Sequence, residues 1–315
     1  MRQPAEDTGR IARSASTVSI AVMCSRVLGL VREQAFAVLF GAGFAYDAFV
    51  VAFRIPNLLR DLFGEGALSA AFVTVFSDYD ETRGAEATWK LAGNVLVFIT
   101  ILLSIITLIG IIFADKIVLA LVDVDFEKIP DKVALTQLLT MIMFPFLIFI
   151  SLSSVVMGIL NTKGKFFIPA LASSFFNLGS IIGGVSLAFL LARNGQPSIV
   201  GMAIGTLIGG ILQLIGQIPS LGRTDFQFKP RLNLKDPGLH RILKLMAPAV
   251  FGLAALQINI FINTYFASSL QQGSLSWLNY AFRFFQFPVG VFGVAISVAA
   301  LPLLSRQAAA KDFAS

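Results

Sequence analysis

Charged side chains interrupt the first two long apolar stretches of the chain. Among them are Arg26, Arg32, Glu33, Asp47, Arg54 and Arg60. A charged group at the bilayer centre costs roughly 2.5–3.5 kcal/mol on insertion scales, so such residues usually face a bundle interior or a water-filled cavity. Arginine presents a planar fork of donors that stays charged, and several arginines in one cavity would suit a diphosphate. These residues therefore predict an anion-binding cavity within a membrane.

The same arginines have a second interpretation, in which they only fix the packing of helices. Each could pair with a nearby carboxylate or extend along its helix to the membrane surface. The candidate partners are Glu33, Asp47, Asp61 and Glu65. With Arg283 included, however, five embedded arginines outnumber the acids that could be buried beside them. The cavity is therefore the favoured interpretation for the group.

The composition is that of an integral membrane protein. Of its 315 residues, 56% are hydrophobic and only 13% are charged, and the mean hydropathy is +0.81, whereas soluble proteins carry about 25% charged residues. The single cysteine, Cys24, can form no internal disulfide, and His240 has no second histidine for a metal pair. No phosphate-loop, metalloprotease or hydrolase motif occurs. The sequence therefore predicts neither an enzyme nor a cofactor.

Eight apolar windows of membrane-spanning length predict an all-α polytopic membrane protein. They cover about 15–40, 45–77, 91–113, 134–160, 166–192, 199–221, 243–269 and 275–304. An even number of spans puts both ends of the chain on one side, and the excess of lysine and arginine on that side places both termini in the cytoplasm. This bias and the embedded arginines account for the net charge of +6, so no nucleic-acid partner is expected.

The longest polar connection divides the chain into two parts. We expect a cytoplasmic N-terminal tail (1–14), a complete six-helix lobe (15–221), a basic cytoplasmic linker (222–242), the first two helices of a second lobe (243–304) and a cytoplasmic tail (305–315). We interpret the linker as a solvated connector that obeys the positive-inside rule. Contact of its basic residues with anionic lipid headgroups is the alternative.

An internal repeat supports this division. A shift of 229 residues places Ala52-Phe53-Arg54 on Ala281-Phe282-Arg283. The match pairs the second window with the eighth, and because these windows are six apart, both run in the same direction. The repeat would therefore be parallel, as in several transporter folds.

Glycines mark two further positions. Gly201, Gly205 and Gly209 recur every four residues and predict a smooth strip for close helix packing. Gly29 separates Arg26 from Arg32, and its flexibility could bend the first helix between them.

Several segments resemble the MurJ (MviN) family of lipid II flippases, which belongs to the MATE-like (MOP) exporter superfamily. The similar segments include SRVLGLVRE, FGAGFAYDAFVVAFRIPNLLRDLFGEGALSAAF, GILNTKGKFFIPALA and GSLSWLNYAFRFFQFPVGVFGVAISVAALPLLS. They occur in the order and spacing of the family and cover nearly the whole chain from about residue 15. The block FRIPNLLR followed by EGALS is the most specific of these motifs.

The resemblance implies a function in peptidoglycan biosynthesis, cell wall biogenesis and cell shape. Members of the family move lipid II, the undecaprenyl-diphosphate-linked disaccharide-peptide, from the inner to the outer leaflet of the bacterial cytoplasmic (inner) membrane by alternating access. The resemblance implies that Arg26, Arg32, Arg60 and Arg283 bind substrate, with Arg54 less firmly placed, and that Asp47 gates or orients. From the residues themselves we add Gly29 and Glu65 as gating or orienting candidates.

The chain departs from the family pattern in two ways. Phe282 and Gln286 stand where some relatives have acidic residues, so no local partner for Arg283 is evident. Family members also look like fourteen-helix proteins, which leads us to expect either a fragment or a chain whose partner, a second fragment, supplies helices nine to fourteen. A coupling monovalent cation is not identified, because the helices where relatives hold one are largely missing.

Two alternative functions remain at this stage. The arginines cannot distinguish sugars, so the chain could export another polyprenyl-diphosphate-linked oligosaccharide. It could also be a non-transporting membrane scaffold. In each case the partners expected are membrane lipids, with lipid II as the substrate of the favoured hypothesis.

Overall fold

The computed structural model describes residues 4–63 and 66–289, with side chains from residue 18 onward. All regular elements in these ranges are helices. They are α1 (Pro4–Phe40), α2 (Phe44–Phe63), α3 (Ala67–Thr82), α4 (Gly84–Ile112), α5 (Ala114–Leu121), α6 (Val124–Glu127), α7 (Lys132–Met143), α8 (Phe146–Thr162), α9 (Phe167–Arg193), α10 (Ile199–Ile215), α11 (Ile218–Leu221) and α12 (Pro237–Ser268), followed by α13 over residues 274–289.

Five segments within the described ranges are long and apolar enough to cross a membrane. They are Gly84–Ile112, Lys132–Thr162, Phe167–Arg193, Ile199–Leu221 and Pro237–Ser268. The first two predicted windows are helical but carry the embedded charges, and the eighth lies partly outside the described residues. The all-α membrane fold predicted from the sequence is therefore confirmed.

The second predicted window contains two helices, α2 and α3. α2 ends at Phe63, and α3 begins at Ala67 after a turn at Gly66. A Cβ at Gly66 would overlap the Asp61 carbonyl oxygen and lie 2.9 Å from Leu253 Cδ1. A side chain would therefore not fit where the two helices meet, and glycine allows the close approach.

Two hydrophobic clusters hold the bundle together. The first joins α3, α4, α8 and the start of α12, and it contains the stacked rings of Phe72 and Phe76, whose centroids are 5.1 Å apart. The second joins α2, α7 and α10, and Phe36 of α1 packs there against Phe49 with centroids 4.7 Å apart. The break after residue 63 thus separates a helix of one cluster from a helix of the other.

The strip of glycines on α10 faces α9. A Cβ at Gly201 would overlap the backbone of Ala188, one at Gly205 would overlap Gly184 Cα, and one at Gly209 would meet the Phe176 carbonyl oxygen. The two backbones therefore approach as closely as small residues permit, which is the geometry expected of a small-residue interface between membrane helices.

The linker rests with one side on α4, while most of its side chains stay exposed. We call residues 222–236 the strap. Its Phe226 packs edge-on against Trp89 of α4, with ring centroids 5.3 Å apart. At its end, the Asp236 carboxylate accepts hydrogen bonds from Gly238 N at 2.8 Å and Leu239 N at 3.3 Å. This side chain caps α12, which consequently begins before the predicted start at residue 243.

The α9–α10 interface yields a test of the packing. The Gly205→Ala variant should lose about 1–3 kcal/mol of stability, because the added methyl group has to push two backbones apart. The control is Gly252→Ala on α12, since nothing lies within 4 Å of a Cβ there and alanine favours a helix. Thermal unfolding in detergent compares the two variants. Equal stability of both would contradict the close packing of α9 on α10.

Candidate functional site: a cationic cavity and its closure

A cavity of about 360 Å³ lies between α1, α2, α8, α9, α10 and α13. Its volume falls within the range typical of small-molecule sites, about 300–1,000 Å³. The structure places four of the predicted arginines in its wall. These are Arg26 and Arg32 of α1, Arg60 of α2 and Arg283 of α13.

Arg32 is oriented by its sequence neighbour and by a ring from another helix. Its Nη2 atom donates to Glu33 Oε1 at 2.9 Å, and its guanidinium carbon lies 5.1 Å from the centre of the Phe176 ring. A guanidinium over an aromatic face is attracted by the ring quadrupole. Its Nε atom is buried without a hydrogen-bond partner, so the donor capacity of this guanidinium is not fully used.

Arg283 receives its counter-charge from a different helix. Its Nε atom lies 3.6 Å from Glu33 Oε1, and the carboxylate side chain is 7% exposed. This distance allows an ion pair, although the same Nε atom makes no hydrogen bond. Glu33 thus supplies the acidic partner that Phe282 and Gln286 do not, and one carboxylate holds arginines from α1 and α13.

Arg60 forms a pair at the opposite side of the cavity wall. Its Nη2 atom donates to Asp61 Oδ1 at 2.7 Å, and Asp61 Oδ2 accepts from Gln257 Nε2 of α12 at 3.1 Å. This pair joins the end of α2 to the middle of α12.

Arg54 is not brought into the main cavity. It lines a side pocket of about 40 Å³ together with Arg32, Glu33, Asn279 and Arg283. Its Nε atom is buried and has no hydrogen-bond partner, and within the described ranges no carboxylate lies within 4.0 Å of it. The positive charge of Arg54 lies behind the residues that line the main cavity and adds to the positive potential there.

Both interpretations of the arginines therefore describe part of the site. Arg32, Arg60 and Arg283 pair with acids, and they also line one cavity. Among the described residues that line it, four guanidinium groups face one carboxylate, Glu33. This excess of positive charge suits a multiply charged anion.

Asp47 lies outside the cavity and holds the α1–α2 turn to the α12–α13 turn. Its carboxylate is 1% exposed and accepts from Gly273 N at 2.8 Å, from Ser276 N at 3.0 Å and from Ser276 Oγ at 2.6 Å. The buried ammonium of Lys132 donates to its Oδ2 atom at 3.1 Å. Asp47 thereby caps the first turn of α13 from another helix, where an anion is favoured.

A chain of hydrogen bonds connects this turn to the cavity. Tyr46 Oη donates to Glu33 Oε2 at 2.9 Å and accepts from Asn279 Nδ2 at 2.7 Å. The Tyr46 ring stacks on Tyr280 with centroids 4.7 Å apart, and Tyr280 Oη donates to the Gly41 carbonyl oxygen at 2.9 Å. We call these contacts, with the Asp47 and Lys132 pair, the turn-side closure.

Lys132, Tyr46 and Asn279 are residues that the sequence analysis missed. A lone aspartate in an apolar window needs a buried counter-charge, which was a usable signal. Lys132, however, lies just before a later apolar window, where a lysine usually faces the aqueous side of the membrane. Tyr46 and Asn279 carry no charge, so nothing in their type separated them from core residues.

The predicted repeat pairs residues that the structure brings close together. Asp47 corresponds to Ser276, which is its hydrogen-bond partner, and Arg54 corresponds to Arg283, which lines the same side pocket. Equivalent residues of two units meet in this way where the units adjoin a common symmetry axis. The repeat itself stays a prediction.

Two remaining gating candidates have different outcomes. Gly29 lines the cavity, and a Cβ there would lie 3.4 Å from Asn177 Nδ2, but α1 runs without a break from Pro4 to Phe40. Glu65 lies outside the described residues.

Comparisons with known proteins agree on one family. The sequence profile described as lipid II flippase MurJ matches residues 36–315. A Vibrio cholerae protein called probable lipid II flippase MurJ is 39% identical over 305 residues, covering 95% of this chain and 57% of the relative. A Burkholderia cenocepacia protein called lipid II flippase MurJ is 38% identical over 301 residues, covering 93% and 57% respectively. The chain thus spans a little over half the length of these curated relatives.

Solved structures match the same fold. One titled "Lipid II flippase MurJ, inward closed conformation" has a TM-score of 0.74 and 32% sequence identity, covering 92% of this chain and 58% of that one. An outward-facing multidrug resistance transporter of the MATE family has a TM-score of 0.65 at 17% identity, covering 89% and 62%. This second likeness concerns the fold alone.

The buried pair in the turn-side closure can be tested by unfolding. Asp47→Ala should cost about 3–5 kcal/mol, because it leaves the Lys132 ammonium buried without a partner. Adding Lys132→Met should recover part of this loss. The control is Asp125→Ala, whose pair with Lys128 is exposed, and thermal unfolding in detergent should hardly change. A double variant no more stable than Asp47→Ala would contradict the assigned pair.

Proposed function

The chain belongs to the MurJ family of lipid II flippases, and we propose that its cavity binds the diphosphate of lipid II during transfer across the bacterial inner membrane. The observation that carries this proposal is the meeting of Arg26, Arg32, Arg60 and Arg283 in one cavity. A transporter of this kind carries out no reaction, so the site needs only to bind and release.

The diphosphate would replace water at guanidinium groups that already point into the cavity. Arginine forks match phosphate oxygens two at a time, and charge-assisted bonds are about twice as strong as neutral ones. Glu33 limits this attraction, because it engages Arg32 and Arg283 when no substrate is bound. Because Glu33 neutralises part of the positive charge, the site binds the diphosphate less tightly. Weaker binding helps turnover, which requires release of the substrate.

The turn-side closure would act as the gate at one end of the cavity. It joins α1 and α2 to α13 through Asp47, Tyr46 and Tyr280. In alternating access, these contacts break in the state that opens toward the α1–α2 turn. Asp47 therefore gates by holding the first turn of α13, without touching the substrate.

The outer face of α12 supports a role for further helices. Phe251 is 80% exposed, and Leu256 and Phe266 are each 64% exposed. Large apolar side chains suit either lipid or a packed neighbour. We propose that helices corresponding to the remaining length of the relatives cover part of this face, supplied by a second polypeptide where they are not joined to this chain.

A related substrate class shares the same chemistry. The cavity offers cations to a diphosphate and no described group that selects a particular sugar, so another polyprenyl-diphosphate-linked oligosaccharide is the second candidate. Competition between lipid II and undecaprenyl diphosphate separates the two, because a sugar-specific site prefers lipid II. A membrane scaffold without transport would bind neither lipid in the cavity.

The binding proposal predicts the effect of arginine variants. Arg32→Ala and Arg283→Ala should each weaken lipid II binding about 10- to 100-fold, as expected for the loss of hydrogen bonds to a charged group. Lysine at either position should restore only part, because it lacks the planar fork. The measurement is lipid II binding to the purified chain in lipid nanodiscs. Arg193→Ala, exposed at the end of α9, is the control and should bind normally.

If Arg32→Ala and Arg283→Ala bound lipid II as tightly as the unsubstituted chain, the cavity would not be the binding site. This result would have no bearing on the membrane fold. Transport is then tested by complementation of a flippase-depleted strain, with and without a co-expressed second fragment. Growth of the Arg32→Ala strain at normal protein levels would contradict the proposed role.

The gate can be tested by access to the cavity. A cysteine at the cavity-lining Ser173, in a Cys24→Ser background, should react slowly with an impermeant maleimide added from the side of the α1–α2 turn. Asp47→Asn should raise this rate several-fold, because it weakens the hold on Lys132 and on α13. Asp125→Asn at the same end should not. An unchanged rate in Asp47→Asn would contradict the gating role.

A further inference from the structure

We propose that the outer face of the strap binds the surface of a bilayer that contains anionic lipids. This inference concerns residues 222–236 and the membrane beside them. It uses none of the cavity residues, so it stands or falls independently of lipid II transport.

The strap has a fixed backbone. Asn94 of α4 is fully buried, and its amide donates to the Asn233 carbonyl oxygen at 3.0 Å while accepting from Asn233 N at 2.7 Å. A Cβ at Gly93 would overlap the Lys229 carbonyl oxygen, so the strap lies directly on the α4 backbone. Side chains that point away from α4 are therefore held in that orientation.

The strap crosses α4 at the edge of the membrane. Beyond Asn94, α4 continues for 18 residues, 95–112, without a charged side chain. At 1.5 Å per residue this run is about 27 Å long, close to the thickness of the hydrocarbon core. Gly93 and Asn94 consequently lie at the level of the headgroups, and so does the strap that rests on them.

The strap carries both large apolar and basic side chains, most of them exposed. Phe228, Leu232 and Leu234 are 55%, 50% and 58% exposed. The basic residues in between or beside them are Arg223, Lys229, Arg231 and Lys235. Of the two acids in the segment, Asp236 is engaged in capping α12, which leaves Asp225.

This pattern fits a lipid surface better than water. A solvated connector would leave three large apolar side chains in water, whereas at the headgroup level they enter the boundary of the acyl chains. The neighbouring guanidinium and ammonium groups can then reach lipid phosphates, and anionic lipids attract such clusters. Nearby Glu86 pairs with Lys90 at 2.7 Å and also attracts Lys229, so Arg223, Arg231 and Lys235 are the cations that remain for lipid phosphates.

The test uses a fluorophore on the strap. A Phe228→Cys variant in the Cys24→Ser background carries an environment-sensitive label, and the chain is placed in nanodiscs of phosphatidylcholine with or without about one third phosphatidylglycerol. A lipid with a nitroxide near its headgroup should quench the label about twofold more when phosphatidylglycerol is present. Aqueous iodide should quench it less.

Charge variants then identify the cause. Arg223→Gln, Arg231→Gln and Lys235→Gln together should abolish the difference between the two kinds of nanodisc. Lysine at 223 and 231 should preserve it, which distinguishes lost charge from a detached strap. Lys116→Gln on α5, which follows the far end of α4, combined with Arg193→Gln at the end of α9, is the matched control and should also preserve it.

Two results would overturn the proposal. Equal quenching by iodide in both kinds of nanodisc would place the strap in water. Lipid quenching that is equal in both, and unaffected by the glutamine substitutions, would show burial without recognition of anionic lipid.

Discussion

The carboxylate of Asp47 is the group on which the arrangement of this bundle depends. It is buried with the ammonium of Lys132 and accepts three further hydrogen bonds from Gly273 and Ser276. An ion removed from water loses several kcal/mol of solvation, and only dense, well-aligned partners compensate for that loss. Because the partners come from α7 and from the first turn of α13, satisfying one carboxylate positions three helices. The cavity adjoins this junction. Because α2 and α13 both line the cavity, the junction sets the position of part of its wall.

The same logic governs the arginines, with a different result. Arg32 and Arg283 share Glu33, and Arg54 has no carboxylate partner among the described residues. At Asp47 charge is balanced, and the site is rigid. In the cavity charge is left in excess, and the imbalance creates affinity for an anion. Tyr46 connects the two regions, since it donates to Glu33 and accepts from Asn279.

Features that depend on local pattern could be predicted from the sequence, and features that depend on distant partners could not. The apolar windows define the helices, and the cost of buried charge singles out the arginines. The pairing of Asp47 with Lys132 joins residues 85 positions apart, which no spacing rule reveals. The packing of the strap depends on Asn94 and Gly93, two uncharged residues just before the long apolar run of α4. The break near Gly66 was hidden because the apolar pattern continues on both sides of it.

The path of α12 has a mechanical consequence. Its first turns are fixed by Leu239 and Ile242 in the core shared with α3 and α4, and its last turn by Ser268, whose hydroxyl accepts from Asp123 N at 2.7 Å. Between them lie Pro248, which removes a helix hydrogen bond, and an outer face open to its surroundings. Because both ends of α12 are held by these contacts, the helix cannot rotate as a rigid body and can only bend. Movement of α13 relative to α2 is therefore divided between the α12–α13 turn at residues 269–273 and bending of α12, which is easiest near Pro248.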